Sequence, residues 1–296
     1  MEKLYSPATV NKIRNRYGLK LSKSLGQNFL IDGNIVNAII EAAGIDEDDL
    51  VIEIGPGIGV LTEAAAKKAH RVIGIEIDQK LIAILDETLK DYDNIKIINQ
   101  DFMKTDLLSL IDENRLSAES VKIIGNLPYY ITTPIIMKIL EGQALSEIES
   151  ITIMLQKEVA DRIKASSGSK IYGALSIAVQ YYCEVENIIK VPKDVFIPKP
   201  KVDSSVIKLS PRSEAPVNVI DKGVFFNLVK AAFGQRRKTL QNALSGIYDL
   251  SKEDVTKALL KACIDPKRRA ETLDIKEFAA LANAVSQGIK DNEDME

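Results

Sequence analysis

The run Leu50-Val51-Ile52-Glu53-Ile54-Gly55-Pro56-Gly57-Ile58-Gly59 limits the possible folds of this chain more than any other segment. A short apolar stretch runs into three glycines at alternate positions, and an Ala-rich segment follows to Ala69. A continuous apolar run closed by glycine reads as a strand buried on both faces, and glycine lets the backbone turn sharply into a helix. The alternation then repeats. The pattern predicts strands at 71–76, 95–98, 121–124 and 151–155, with helices at 59–69, 78–90 and after Thr133. Strands alternating with helices build a parallel sheet covered on both faces, an α/β fold. Later strands are expected at 184–191 and 204–209, joined through a Pro-rich loop.

Two helices precede this sheet. One starts at Ser6-Pro7, with Ser6 as cap, and runs to Arg16; the other follows Asp32 and stops near Gly44. After Pro211–Pro216, which reads as a linker, the strand pattern ends. Asp221 to Phe233 is helical, and the pairs Ser251/Asp254 and Asp274/Glu277 have the form of capping boxes. The expected division is an α/β domain over 1–210 with an N-terminal helical extension, then a small all-helical domain over 211–296.

Composition narrows the chemistry. With 46% hydrophobic and 27% charged residues the chain is of ordinary globular type. No stretch is apolar enough for a signal-peptide core or a membrane span, and Cys183 and Cys263 lie far apart and outside any metal spacing. A reduced, cytoplasmic setting, no membrane, no metal and a monomer are expected. The single histidine, His70, removes most Ser/His, Cys/His and His–metal chemistries. A net charge of −3 argues mildly against nucleic acid, yet the signs are segregated. Acids gather at Asp46-Glu47-Asp48-Asp49 and after Lys290. Bases gather at Lys12, Arg14, Arg16, Lys20 and Lys23, at Arg236-Arg237-Lys238, and at Lys267-Arg268-Arg269. Any one cluster can be a solvated helix surface; together the last two are candidates for an RNA-binding face.

Three acids follow three successive strands: Glu53 before the glycine loop, Glu76 after the second strand and Asp101 after the third. Ligands of open α/β sheets sit at such strand ends. A carboxylate at Glu76 can accept both ribose hydroxyls, and one at Asp101 an adenine amine. Each acid could also be a loop or helix-capping residue. The glycine spacing is G-x-G-x-G and not the G-x-G-x-x-G suited to a pyrophosphate. S-adenosylmethionine has no phosphate, and its sulfonium tolerates a carboxylate such as Glu53. Gly55 and Gly57 then bring the backbone close to it. The loop alone leaves a dinucleotide open as the other reading.

The fourth strand leads into Asn126-Leu127-Pro128-Tyr129-Tyr130. This acceptor–aliphatic–Pro–aromatic order has a specific physical use. An exocyclic amine has its lone pair delocalised into the base. Two acceptors, the Asn126 side-chain oxygen and a backbone carbonyl at Leu127 or Pro128, can hold its two N–H bonds and turn the lone pair toward a methyl donor. Tyr129 offers a face on which an extruded base can stack, an interaction contributing about 1–3 kcal/mol. Phe196, between rigid prolines, could close the other face, or could be a hydrophobic anchor.

These segments resemble the ribosomal RNA adenine N6-dimethyltransferase family, and within it the small-subunit, kasugamycin-susceptibility type. The resemblance rests on Lys23-Ser24-Leu25-Gly26-Gln27-Asn28-Phe29-Leu30, the Gly55 loop, and Asn126 to Ile131. Phe196 to Ser204 and Phe233 to Leu240 extend it over almost the whole chain. It implies a Rossmann-like class I S-adenosylmethionine-dependent methyltransferase sheet of seven strands, with a catalytic domain and a helical C-terminal domain. It also implies that Asn28 and Leu30 complete the cofactor pocket with Gly55, Glu76, Asp101 and Asn126. The implied activity is dimethylation of two adjacent adenosines in a hairpin loop near the 3′ end of small-subunit rRNA. The implied partner is the partly assembled small ribosomal subunit and its rRNA, late in assembly. Two alternatives share the scaffold: a large-subunit rRNA adenine methyltransferase of the resistance type, and a non-catalytic RNA-binding assembly factor.

Overall fold

The computed structural model describes residues 3–19, 27–115 and 120–293. In chain order the helices and strands begin with α1 (Pro7–Arg16), β1 (Phe29–Leu30), α2 (Gly33–Ala43), β2 (Asp49–Ile54), α3 (Val60–Ala66), β3 (Arg71–Glu76) and α4 (Gln79–Thr88). Then come β4 (Ile95–Asn99), α5 (Leu107–Asn114), β5 (Ser120–Asn126), α6 (Thr132–Glu141), β6 (Ile148–Gln156), α7 (Lys157–Ile163) and α8 (Ala174–Tyr182). The last are β7 (Cys183–Val191), β8 (Phe196–Ile197), β9 (Ser204–Pro211), α9 (Lys222–Gly234), α10 (Leu240–Leu244), α11 (Lys252–Lys261) and α12 (Ile275–Glu293).

Seven strands form one sheet in the order β4-β3-β2-β5-β6-β9-β7. β2 pairs in parallel with β3 and β5, β3 with β4, and β5 with β6, while β9 runs antiparallel to β6. All six residues of β2 are buried, as a strand covered on both faces must be. The helices start where short acceptors stand. Asp32, Asp78 and Asp106 each take a backbone N–H of the first turn of α2, α4 and α5. α2 ends on Gly44 in the left-handed region. The register aligns the C-terminal ends of β2, β3, β4 and β5 along one edge of the sheet, with Ile54 opposite Ile75 and Glu76 opposite Asn99.

The chain divides into two compact units, Met1–Ala160 with Glu184–Pro211 and Asp161–Cys183 with Arg212–Glu296. The second unit is helical and has its own core, including Phe225, Leu228, Leu259, Phe278 and Leu281. It also takes in 161–183, a segment that sequence order assigns to the α/β domain. The reason is packing within this unit. The Tyr181 ring lies 5.3 Å from that of Phe225, and Tyr172 lies 5.7 Å from Phe233. The Gly168 N–H donates to the Glu271 carbonyl at 2.6 Å. Both capping boxes form: Ser251 with Asp254 at the start of α11, and Asp274 with Glu277 at the start of α12.

Candidate active site

The loops leaving β2, β3, β4 and β5 surround a cavity of about 350 Å³. Its floor is the glycine loop. Gly55 and Gly57 hold φ of 70° and 63°, where a side chain would be strained, and a Cβ on Gly57 would stand 3.3 Å from the Phe29 ring. The Glu76 carboxylate fastens this loop. Its Oε2 accepts the Gly57 N–H at 3.1 Å and its Oε1 the Asp78 N–H at 2.8 Å. Burial pushes the Glu76 carboxyl above its ordinary value, and those two N–H groups partly offset the shift. Glu53 is 1% exposed. Burial pushes its carboxyl up to about 8, against the Thr62 hydroxyl that donates to Oε2 at 2.6 Å; the neighbouring Glu76 adds to the rise.

Asp101 does two things at once. Its Oδ1 caps the short helical turn Phe102–Lys104 by accepting the Met103 N–H at 2.9 Å, and its side chain lines the cavity. The apolar neighbours of two acids line it as well: Ile77 after Glu76 and Phe102 after Asp101. Asn28, Phe29 and Leu30 line it too. Phe29 and Leu30 form one strand of a two-stranded ribbon, in which Phe29 faces Ile197 and Leu30 faces Phe196.

Asn126 ends β5 at the cavity. Its Nδ2 donates to the Asn28 carbonyl at 2.9 Å, which fixes the amide and leaves Oδ1 as the acceptor. The following loop is pinned: Leu127 N–H donates to Met154 O at 3.0 Å. Pro128 O is occupied twice, by the Ile131 N–H at 3.2 Å and the Thr132 hydroxyl at 2.9 Å. The Leu127 carbonyl accepts no hydrogen bond among the described residues.

The aromatic residues depart from the sequence expectation. Phe196 is 2% exposed and packs in the hydrophobic core, because pairing of β8 with β1 turns it inward; in this structure it is the anchor and not a face for a base. Tyr129 is half-buried, with its hydroxyl 2.6 Å from Ser204 Oγ, and its ring does not line the cavity. Burial raises the Tyr129 phenol above its ordinary value. Tyr130, to which the sequence reading gave no role, lines the cavity and is 55% exposed.

The basic clusters separate into two kinds. Arg268 is braced: its guanidinium bonds both oxygens of Glu277 and both the hydroxyl and carbonyl of Thr272. That pairing holds the Arg268 pKa above its ordinary value and the Glu277 carboxyl below. Arg236 donates to the carbonyls of Lys170 and Tyr172. Arg237, Lys238, Lys267 and Arg269 have no side-chain partner among the described residues. Lys20 and Lys23, and the Lys23 to Gly26 part of the motif, lie outside the described residues. Among those described, no group of His, Cys, Asp and Glu could hold a metal, and no helix is long and apolar enough to cross a membrane.

A family model described as ribosomal RNA adenine dimethylase matches residues 18–287. The chain belongs to this family. Members of it from Alkaliphilus metalliredigens and Clostridioides difficile, both called ribosomal RNA small subunit methyltransferase A, are 54% and 50% identical to it. The alignments cover 97% of this chain in each case, and 99% and 98% of the relatives. A crystal structure of a dimethyladenosine transferase from Plasmodium falciparum superposes with a TM-score of 0.70 at 26% identity, covering 89% of this chain and 98% of that one. The 23S rRNA methyltransferase ErmE gives 0.64 at 27%, covering 88% and 100%. The fold is thus the α/β sheet of this dimethylase family with a helical C-terminal region. The residues that sequence reasoning passed over, Ile77, Phe102 and Tyr130, each stand directly after one it picked. For Ile77 and Phe102 the available signal was an apolar side chain next to a strand-end acid; for Tyr130 it was a second tyrosine directly after the Asn126–Tyr129 motif.

Proposed function

We propose that this chain binds S-adenosylmethionine and dimethylates the N6 amines of adenosines in small-subunit ribosomal RNA. The chemistry of the cavity fits that cofactor. The glycine floor lacks Cβ atoms, and two buried carboxylates, Glu53 and Glu76, suit a ligand that carries positive charge and ribose hydroxyls. Asp101 retains an oxygen for an adenine amine, and Ile77 and Phe102 offer apolar surface to a flat ring. When bound, S-adenosylmethionine supplies an electrophilic methyl group. The small-subunit reading is favoured over the large-subunit one because relatives at 50–54% identity over nearly the full length carry the small-subunit name, whereas ErmE shares 27%.

The observation that carries the chemistry is the amide of Asn126. Because Nδ2 is held by Asn28, Oδ1 can accept one N–H of the target amine. Pro128 O already has two donors, so the Leu127 carbonyl is the second acceptor. Two acceptors draw the nitrogen toward tetrahedral geometry, where its lone pair can attack. No general base is required, since the methylated ammonium loses its proton to water. Phe196 acts from behind, holding β8 against Leu30 and so positioning the Asn28 carbonyl. Tyr129, fixed by Ser204, steadies the turn that carries Asn126 and Pro128.

Asn126→Ala tests this. An acceptor that bonds the amine more strongly in the transition state contributes to turnover more than to RNA affinity. The expected result is a single-turnover methyl-transfer rate about ten- to a hundredfold lower at saturating cofactor, with small-subunit affinity little changed. A near-normal rate would mean that the loop is only structural.

A further inference from the structure

We propose that Tyr130 is a stacking platform at the cavity mouth for the nucleotide that flanks the adenosine being methylated; this rests on the function proposed above. Tyr130 lines the cavity yet is 55% exposed. Among the described residues only Leu260, at 61%, is a large apolar side chain more open to water. The Tyr130 ring makes no hydrogen bond, ring stacking or cation–π pair among the described residues. Its backbone is nonetheless fixed on both sides. Tyr129 is tied to Ser204 before it, and the Ile131 N–H and Thr132 hydroxyl close onto Pro128 after it. A rigid loop that presents an unpartnered aromatic face at the edge of a site is suited to a flat ligand arriving from solvent.

The position of the target amine decides which base that is. Asn126 Oδ1, on the lining of the cavity, and the Leu127 carbonyl next in the chain, unoccupied among the described residues, define it. Tyr130 stands three residues beyond Leu127, at most about 11 Å of chain away. A base whose amine is held by those acceptors lies deeper than the rim. Drawing it out of its stack leaves the adjacent base without a neighbour. A half-exposed tyrosine at the mouth can replace that lost stacking, steadying the RNA strand while the amine is presented. The other two aromatics cannot serve there in this arrangement: Phe196 is in the core, and the Tyr129 hydroxyl is held at Ser204.

The experiment compares wild type, Tyr130→Ala and Tyr130→Phe on unmethylated small subunits, with calorimetry of S-adenosylhomocysteine alongside. Tyr130→Ala should raise KM for subunits about tenfold. Its single-turnover rate at saturating subunits, and its affinity for S-adenosylhomocysteine, should stay near wild type, which also shows that the variant is folded. Tyr130→Phe should stay near wild type, because stacking needs the ring and not the hydroxyl. An unchanged KM in Tyr130→Ala overturns the assignment, as does a fall in S-adenosylhomocysteine affinity that matches the rise in KM. Equal loss in the Phe variant also overturns it. If wild type itself transfers no methyl group to subunits, the functional reading fails and this one with it. If wild type transfers and Tyr130→Ala matches it in every respect, only the role of Tyr130 fails.

Discussion

At the glycine loop, Glu53 and Glu76 are buried near each other, and the Glu53 carboxyl is pushed up to about 8 from an ordinary 4.5. Without ligand, the folded protein therefore holds a proton that the unfolded chain releases near pH 4.5. The native state binds more protons across that interval, so stability falls as pH rises. The contribution is fully present below about 4.5 and is lost as pH climbs through about 8. The slope from this one group is at most about 1.4 kcal/mol per pH unit. Glu53→Gln keeps an acceptor for Thr62 and removes the titration. Urea midpoints of the ligand-free protein at about pH 5.5 and about pH 8 should differ less for Glu53→Gln than for wild type. A residual slope is expected from Glu76, whose carboxyl is shifted in the same direction. Parallel slopes for the two proteins would mean that Glu53 is ionised throughout. The same buried acid explains why the site suits a cationic ligand: a sulfonium or ammonium nearby returns the carboxyl group to its ionised form.

The elements that the sequence exposed most clearly are those with a long, regular pattern. β2 reads as a buried strand because its residues are nearly all apolar, and α2 and α4 read as helices because Asp32 and Asp78 mark their starts. The ribbon of β1 and β8 was not visible from periodicity, since two-residue strands have no period and Phe29 pairs with Ile197, far away in the sequence. Asn28 and Leu30 entered through resemblance alone for that reason. Lys122, a charge inside an apolar strand, gave no hint of its partner either. In the structure it is 4% exposed, and its Nζ donates to Asp49 Oδ2 at 2.7 Å and to Gly44 O at 2.6 Å. It thereby joins the starts of β2 and β5 to the end of α2, at the opposite edge of the sheet from the cavity. Lys122→Met removes the cation and leaves a carboxylate that is 1% exposed. Loss of one partner of a buried pair costs about 3–5 kcal/mol. Denaturant unfolding of Lys122→Met should show that loss, and adding Asp49→Asn should recover much of it by removing the stranded charge. If the single and double variants are equally unstable, the pair is not the cause.

For the whole chain, the order of residues revealed that a helical part follows an α/β part, but not that 161–183 belongs to the helical unit. Those residues lie between two strands in sequence, and only the packing of Tyr172, Ile177 and Tyr181 into the helical core assigns them there. The cationic clusters show the same limit. In sequence Arg236, Arg237, Lys238, Lys267, Arg268 and Arg269 are equivalent; in the structure Arg268 and Arg236 hold their own unit together, while the other four are unpartnered among the described residues. Phosphates compete poorly for a guanidinium already bonded to Glu277 and Thr272, whereas a solvated lysine or arginine exchanges only water and counterions. The RNA footprint in this unit is therefore expected to rest on Arg237, Lys238, Lys267 and Arg269. Replacing Arg237 and Lys238 by Gln should weaken small-subunit binding without changing thermal stability. It should also reduce the slope of log K against log salt by about 0.7–0.9 for each phosphate that is no longer neutralised. Arg268→Gln should do the reverse, lowering Tm by freeing the start of α12 and leaving the salt slope intact. Binding isotherms at several salt concentrations, with melting curves of the same preparations, separate the outcomes. A salt slope that responds to Arg268→Gln but not to the Arg237 and Lys238 pair would place the footprint on the braced residue instead.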